Sequence, residues 1–96
     1  MKVVTVGNKI FVTAFQLAGI QGKIVENSEQ ALSEVNKLIG EKVGLILISD
    51  DIANPINDQL TLLRSKNSVL VFSLPHANSK KENIDYRLML KKILGV

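Results

Sequence analysis

The sequence predicts an α/β domain: a four-stranded parallel sheet, strands in the order 2-1-3-4, with helices on its faces. Three observations carry this. Residues 43–51 hold four consecutive aliphatics, Leu45, Ile46, Leu47 and Ile48, entered past Gly40 and Gly44 and closed by Ser49, Asp50 and Asp51. Periodicity alone does not separate so short a run from buried helix; its flanks make it a strand covered on both faces, as central parallel strands are. Two similar runs, residues 3–6 and 69–72, stand before and after it, with helix-period segments between. The alternation implies βαβ units, and right-handed crossovers then give the strand order of a truncated flavodoxin-like or receiver-like architecture.

The first strand, residues 3–6, closes at Gly7 and Asn8. A helix over 9–18 follows, with Ile10, Phe11, Ala14, Phe15, Leu17 and Ala18 on one wide face and Thr13 and Gln16 opposite. Gly19 stops it as a left-handed cap. Residues 23–25 make a short second strand at an edge. Asn27 or Ser28 caps the second helix. Its Ala31, Leu32, Val35, Leu38 and Ile39 fall at i, i+1, i+4, i+7 and i+8, the cleanest amphipathic pattern in the chain. Glu29, Glu34 and Lys37 take its wet side, and Gly40 ends it.

After the central strand, Ile52, Ile56, Leu60 and Leu63 repeat at helical spacing, interrupted by Pro55. Asn54 and Pro55 read as a cap and first helical position. The expectation is a turn at 51–54 and a helix over about 55–65, or one kinked helix. A fourth strand spans 69–74. Residues 75–83 form a polar loop, and a last helix covers roughly 83–94 with Tyr86, Met89, Leu90 and Ile93 on its core stripe. Ile84 and Leu88 lie off that stripe, among Arg87, Lys91 and Lys92. The organisation is thus one domain: an α/β core at 1–74, then a loop and mobile C-terminal helix at 75–96.

A chain of 96 residues has little room for a buried catalytic cleft. No apolar run reaches the roughly 20 residues that span a bilayer, and because Met1 and Lys2 lead directly into a strand no secretory leader is expected. The absence of cysteine excludes disulfides and thiolate metal sites. The net charge of +3 is unevenly placed. Acids and bases balance over residues 1–79, so the whole excess lies on 80–96, through Lys80, Lys81, Arg87, Lys91 and Lys92 against Glu82 and Asp85. That segment suits an acidic partner surface, or is a solvated helix face with cations near its C-terminus.

Ligands of such sheets bind beyond the carboxyl ends of the strands. There the chain offers Gly7, Asn8 and Lys9; Ser49, Asp50 and Asp51; Ser73, Leu74 and Pro75. No Walker or G-x-G-x-x-G pattern follows the first strand. A phosphoacceptor receiver needs an acidic pair after strand one; Asn8 and Lys9 cannot supply it, although Asp50 occupies roughly the acceptor's place. Asp50 and Asp51 are expected to cap the following turn, and His76, the lone histidine, to sit on a loop without a nucleophile or base beside it. With few aromatics, three of the four reading as core, no nucleic-acid surface emerges. No catalytic residue, metal ligand or cofactor is expected; the residue types favour an interaction module.

Three stretches together resemble the F subunits of the A/V-type rotary ATPases, the archaeal and vacuolar-type ATP synthases. They are Val4-Thr-Val-Gly-Asn-Lys9 followed by Thr13-Ala-Phe-Gln-Leu-Ala-Gly-Ile20; Gly44-Leu-Ile-Leu-Ile-Ser-Asp-Asp-Ile-Ala53; and Ile84-Asp-Tyr-Arg-Leu-Met-Leu-Lys-Lys-Ile-Leu-Gly-Val96. Order and length agree across the chain. Ala14 stands where the family often has glycine, Gln16 where it often has arginine, and Pro55 breaks a helix that usually runs on. The resemblance implies a non-catalytic central-stalk component that binds the coiled-coil shaft, the D subunit of such complexes. Its C-terminal segment would contact the A and B subunits of the catalytic head and tune ATP turnover coupled to ion transport. It would be cytoplasmic and peripheral to the membrane, without inserting into it. Ile84, Arg87, Leu88, Lys91 and Lys92 are the partner-binding candidates. The alternative is a receiver-like signalling or interaction domain without a working phosphorylation site.

Overall fold

A computed structural model describes residues 2–76 and Lys92. The core is a parallel sheet of β1 (Val3–Gly7), β2 (Gln21–Ile24), β3 (Leu45–Ser49) and β4 (Leu70–Leu74), ordered β2-β1-β3-β4 as the sequence predicts. Helices α1 (Lys9–Gln16) and α2 (Ser28–Gly40) follow the first two strands. After β3 come α3 (Asp50–Ala53), a 3₁₀ turn (Asn54–Ile56) and α4 (Asn57–Lys66). The polar loop and last helix expected beyond His76 lie outside the described residues except for Lys92, which is exposed.

Every residue of β3 is buried, because it lies between β1 and β4 and is covered from both faces. Val4, Val6, Ile46, Ile48 and Val71 project to one face, under Ala31, Val35 and Leu38 of α2 and under Ile52, Ile56 and Leu60. Leu45, Leu47 and Leu74 project to the other, under Phe11, Val12 and Phe15 of α1. The Phe11 and Phe15 rings are tilted against each other with centroids 5.2 Å apart, a favourable aromatic arrangement.

Helix α1 packs through Phe11, Val12 and Phe15, not through the broader face that periodicity suggests. Ile10 is 55% exposed and Leu17 78% exposed, and Ala18 lies in the turn after the helix. Six apolar residues span more of the helix than a flat sheet can cover. Val12 enters instead because Gly22 of β2 makes space for it. A Cβ on Gly22 would stand 2.7 Å from Val12 Cγ1 and 2.1 Å from Thr5 Oγ1.

The helix ends follow capping chemistry. Asn8 Oδ1 accepts the Phe11 N–H at the start of α1, and Asn27 Oδ1 accepts the Gln30 N–H at the start of α2, both at 2.9 Å. Gln30 Oε1 in turn accepts the Glu26 N–H, close to a capping box. Helix α1 gives out at Gln16 and closes over Gly19 at φ 86°, where Ile20 donates to the Phe15 carbonyl and Gly19 to that of Gln16. These are the bonds of a Schellman motif. Helix α2 closes in the same way, with Val43 donating to Leu38 and Lys42 to Ile39. The helix ends at Gly40 as expected, and the left-handed residue of its closing turn is Lys42, at φ 62°.

The second strand starts two residues earlier than the sequence suggests, at Gln21, because its ladder follows β1 from Val4 onwards. Of the two expectations for residues 50–66, the kinked one holds. Pro55 has no N–H to donate to a continuous helix from Asp50, so the chain tightens into the 3₁₀ turn and α4 resumes at Asn57. Asn54 is the first residue of that turn and not its cap. Ser28 Oγ donates to the Ile52 carbonyl at 2.7 Å, tying α2 to α3.

Candidate functional site

The carboxyl ends of β1, β3 and β4 bring Asn8, Asp50, Asp51 and His76 to one edge of the sheet. In the ladder, Ser49 of β3 stands opposite Leu74 of β4. Asp50 and the segment Pro75–His76 are therefore the next residues on two adjacent strands. The Asp50 carboxylate turns towards the neighbouring chain: its Oδ1 accepts the His76 backbone N–H at 3.1 Å and lies 2.6 Å from His76 Nδ1.

This overturns two readings from the sequence. His76 is partnered, and Asp50 does not cap α3. Ser49 is the cap residue of α3 and makes no side-chain cap bond. Asp51 does take a capping role, its Oδ1 accepting the Ile52 N–H at 3.0 Å. Residues 50 and 76 are far apart in sequence, so only the strand order brings them together. The signal for the pair lies in the order 2-1-3-4: its last two strands, followed one step past their ends, lead to both residues.

Burial pushes the Asp50 carboxyl upwards. The side-chain bond from His76, the His76 amide, the positive charge of that ring and the Asp51 amide outweigh burial and hold it below the ordinary carboxylate value. Ligand atoms of Asp50, Asp51 and His76 all lie within 4.8 Å of one another. Two of them already share a hydrogen bond and the Asp51 carboxylate is committed to a backbone amide, so the trio is arranged to satisfy itself. The place of a receiver's first acidic pair is held by Asn8, used as a helix cap, and by exposed Lys9. Among the described residues, this edge therefore lacks both a phosphate cradle and an acidic pair after β1 to stand beside Asp50.

A second feature is apolar. Paired residues of neighbouring strands share a face, so Leu70 and Phe72 lie on the α1 side of the sheet with Leu45 and Leu47. They are 52% and 41% exposed. On α1, Ile10, Thr13, Ala14 and Leu17 line a shallow apolar depression with Lys9. The spacing of Ile10, Ala14 and Leu17 is that of a helix seam. Neither surface is legible in the sequence, since each residue fits an apolar pattern that periodicity assigns to the core. Of the partner-binding candidates, Lys92 is described and exposed, while Ile84, Arg87, Leu88 and Lys91 lie outside the described residues.

Among the described residues, no helix is long and apolar enough to cross a membrane. A comparison with curated proteins finds no match. The model of one family, the ATP synthase (F/14-kDa) subunit, matches residues 3–90. That span takes in all four strands and the helices between them, so the chain belongs to the family of ATP synthase F subunits and is a component of a rotary ATPase of the A/V type.

Proposed function

We propose that this chain is a non-catalytic central-stalk component of an A/V-type ATP synthase. It binds the coiled-coil shaft, the D subunit of the complex, and modulates ATP hydrolysis and synthesis coupled to ion transport. The family match over residues 3–90 carries the reading. Two observations support it. The strand ends hold the Asp50–His76 pair, and no Walker or G-x-G-x-x-G pattern follows β1 in the sequence. The α1 side of the domain leaves Ile10, Leu17, Leu70 and Phe72 in contact with water, apolar area that a component of a larger assembly has reason to keep.

Residues 75–96 serve as the contact element for the A and B subunits of the catalytic head. Ile84 and Leu88 give apolar contact, and Arg87, Lys91 and Lys92 a salt-sensitive attraction to acidic surface. The protein works at the cytoplasmic side of the membrane, held there by the complex.

Reconstitution tests this. The chain should co-purify with a helical-hairpin shaft protein. Replacing Arg87, Lys91 and Lys92 together by glutamine should leave that binding intact while changing the ATPase rate of the assembled head and flattening its salt dependence. Failure to bind the hairpin would sink the stalk assignment. An unchanged rate in an assembled complex would remove the role of the C-terminal segment.

A further inference from the structure

We infer that the open edge of β4 takes up, as a fifth strand, an extended segment of a partner protein in which apolar residues alternate with acidic ones. Strand β4 ends the sheet order, with β3 on its inner side. Leu70 donates to the Gly44 carbonyl at the start of that ladder. In a parallel ladder, alternate residues turn both backbone groups towards the same neighbour. Leu70, Phe72 and Leu74 therefore bond to β3, while the N–H and C=O of Val71 and Ser73 point away from it. Among the described residues, no strand answers them. Such a row is a template for one more strand.

The two edges of the sheet differ. At the other edge Val25 donates to the Gly7 carbonyl, so Gly22 and Ile24 of β2 are the residues facing outwards. Strand β2 has four residues and contains Gly22 and Lys23, a weak strand former and a charge, both of which discourage pairing. Strand β4 is Leu-Val-Phe-Ser-Leu, with no charge, glycine or proline inside it. A longer apolar edge without such guards is a hazard unless something fills it.

The chemistry on either side of β4 names the occupant. On the α1 side lie the exposed side chains of Leu70 and Phe72. On the opposite side, Val71 and Ser73 border a cleft of about 60 Å³ with Asn57, Thr61 and Arg64 of α4. Arg64 is exposed and makes no ion pair among the described residues. Side chains of a strand alternate between faces. A strand laid along β4 thus turns every second residue to Leu70 and Phe72, and the ones between to Arg64, Asn57 and Thr61. Apolar residues suit the first set and carboxylates the second, the pattern by which added strands gain specificity. A second copy of the chain fits less well. Pairing β4 with β4 about Val71 and Ser73 lays two Arg64 cations along one short stretch, and β4 brings no carboxylate to either.

An extended segment is not the coiled coil proposed for the shaft, so the two contacts stand or fall separately. The probe is a blocked peptide of about seven residues, alternating valine and glutamate, added to the full chain and followed by amide NMR. The Val71 and Ser73 amides should shift and exchange more slowly with solvent, and those of Gly22 and Ile24 should stay where they are. A valine–lysine peptide should bind about three- to fivefold more weakly, the worth of an exposed ion pair. Arg64→Glu should reverse that order. Ser73→Pro should abolish binding, since it removes an outward N–H but no ladder bond. Arg64→Glu, a change on the exposed surface of α4, keeps the test decisive if Ser73→Pro does not fold.

Unmoved Val71 and Ser73 amides overturn the docking edge, as do equal shifts at Gly22 and Ile24. So does an order of the two peptides that Arg64→Glu leaves unchanged. Slow exchange of the same two amides before any peptide is added also overturns it: with a dimer in sedimentation the occupant is a second copy, and in a monomer it is the chain's own remaining residues. If the peptide binds β4 but the chain does not co-purify with a helical hairpin, the stalk assignment fails and the edge stands. If the hairpin binds and the peptide does not, the edge fails alone.

Discussion

Leu47 and Phe72 are opposite neighbours in the β3–β4 ladder and lie on the same face of the sheet. Leu47 is sealed from water, while Phe72 is 41% exposed. Their residue types do not explain the difference, since both are large and apolar. It comes from what lies above them. Helix α1 packs on β1 and β2 and reaches across to Leu45 and Leu47 of β3. Over the middle of β4, no described element takes its place. On the opposite face, Val71 of the same strand is buried beneath the α2–α4 layer. Among the described residues, one side is thus a closed core and the other a core that stops one strand short. An edge strand with one apolar face uncovered is where a small domain has surface to offer, and where the stability cost of changing a residue should fall sharply.

The largest expected effect tests that contrast directly. Leu47→Ala should cost about 2–5 kcal/mol, because β1, β4 and α1 hold the cavity open. Phe72→Ala should cost about 1–2 kcal/mol, since much of the ring never leaves water. Urea melts of the two variants decide it. Equal losses would mean that β4 is covered as completely as β3.

Next comes the approach of α1 to β2. Gly22→Ala places a methyl against Thr5 Oγ1 and Val12 Cγ1, so helix and strand must part. A loss of about 1–3 kcal/mol is expected, the usual cost of overpacking. Gly22→Ala paired with Val12→Ala should recover part of what Gly22→Ala loses, and a double mutant no better than the sum of its parts would place the clash elsewhere.

The helix ends offer a smaller contrast. Both α1 and α2 close with the same hydrogen bonds, but one uses Gly19 at its left-handed position and the other Lys42. A side chain in that region costs on the order of 1 kcal/mol. Lys42→Gly should therefore stabilise the chain by up to about 1 kcal/mol and Gly19→Ala destabilise it by a similar amount, read as opposite shifts of the urea midpoint. Shifts of the same sign would contradict the shared motif.

The Asp50 carboxyl gives a pH signature. Its native proton affinity is lowered by His76, so the pair's contribution is complete above the ordinary carboxylate value, about pH 4. It is lost as pH falls through the depressed native value. Stability measured from about pH 6 downwards should decline less steeply in Asp50→Asn than in the parent. Because both partners are well exposed, the difference is small. A steeper decline in the variant would reverse the sign and dissolve the pairing.

These contrasts also mark what sequence can and cannot reveal. The sheet order follows from three apolar runs and a chirality rule, and the α2 face from a clean helical period. Both depend on local pattern, which the chain states outright. Periodicity makes the buried face of α1 too broad because Ile10 and Leu17 repeat at the same period as Phe11 and Phe15. What decides that Val12 goes inward is Gly22 on the following strand β2, and helical period within α1 carries no trace of it. The Asp50–His76 pair escapes local pattern for a similar reason. Each residue alone has an ordinary local role, and their meeting is a property of the ladder. The exposure of Leu70 and Phe72 is invisible to composition because it depends on which neighbouring layer is present.

The smallest prediction concerns the closed side. Lys37 lies on the outward surface of α2, its side chain 66% exposed, 3.6 Å from Glu34 one turn before it. That ion pair has the i, i+3 geometry that isolated helices reward by a few tenths of a kcal/mol, and salt screens it further. Alanine at the same place loses the pair but gains intrinsic helix propensity of comparable size. Nothing beneath the residue changes, because Leu38, its neighbour in sequence, is the one that enters the core. Lys37→Ala should thus move the urea midpoint by the equivalent of about 0.5 kcal/mol or less. Together with Leu47→Ala it brackets the range set by the two environments. A Lys37 effect as large as that of Leu47 would mean that the outward face of α2 is packed against something rather than solvated.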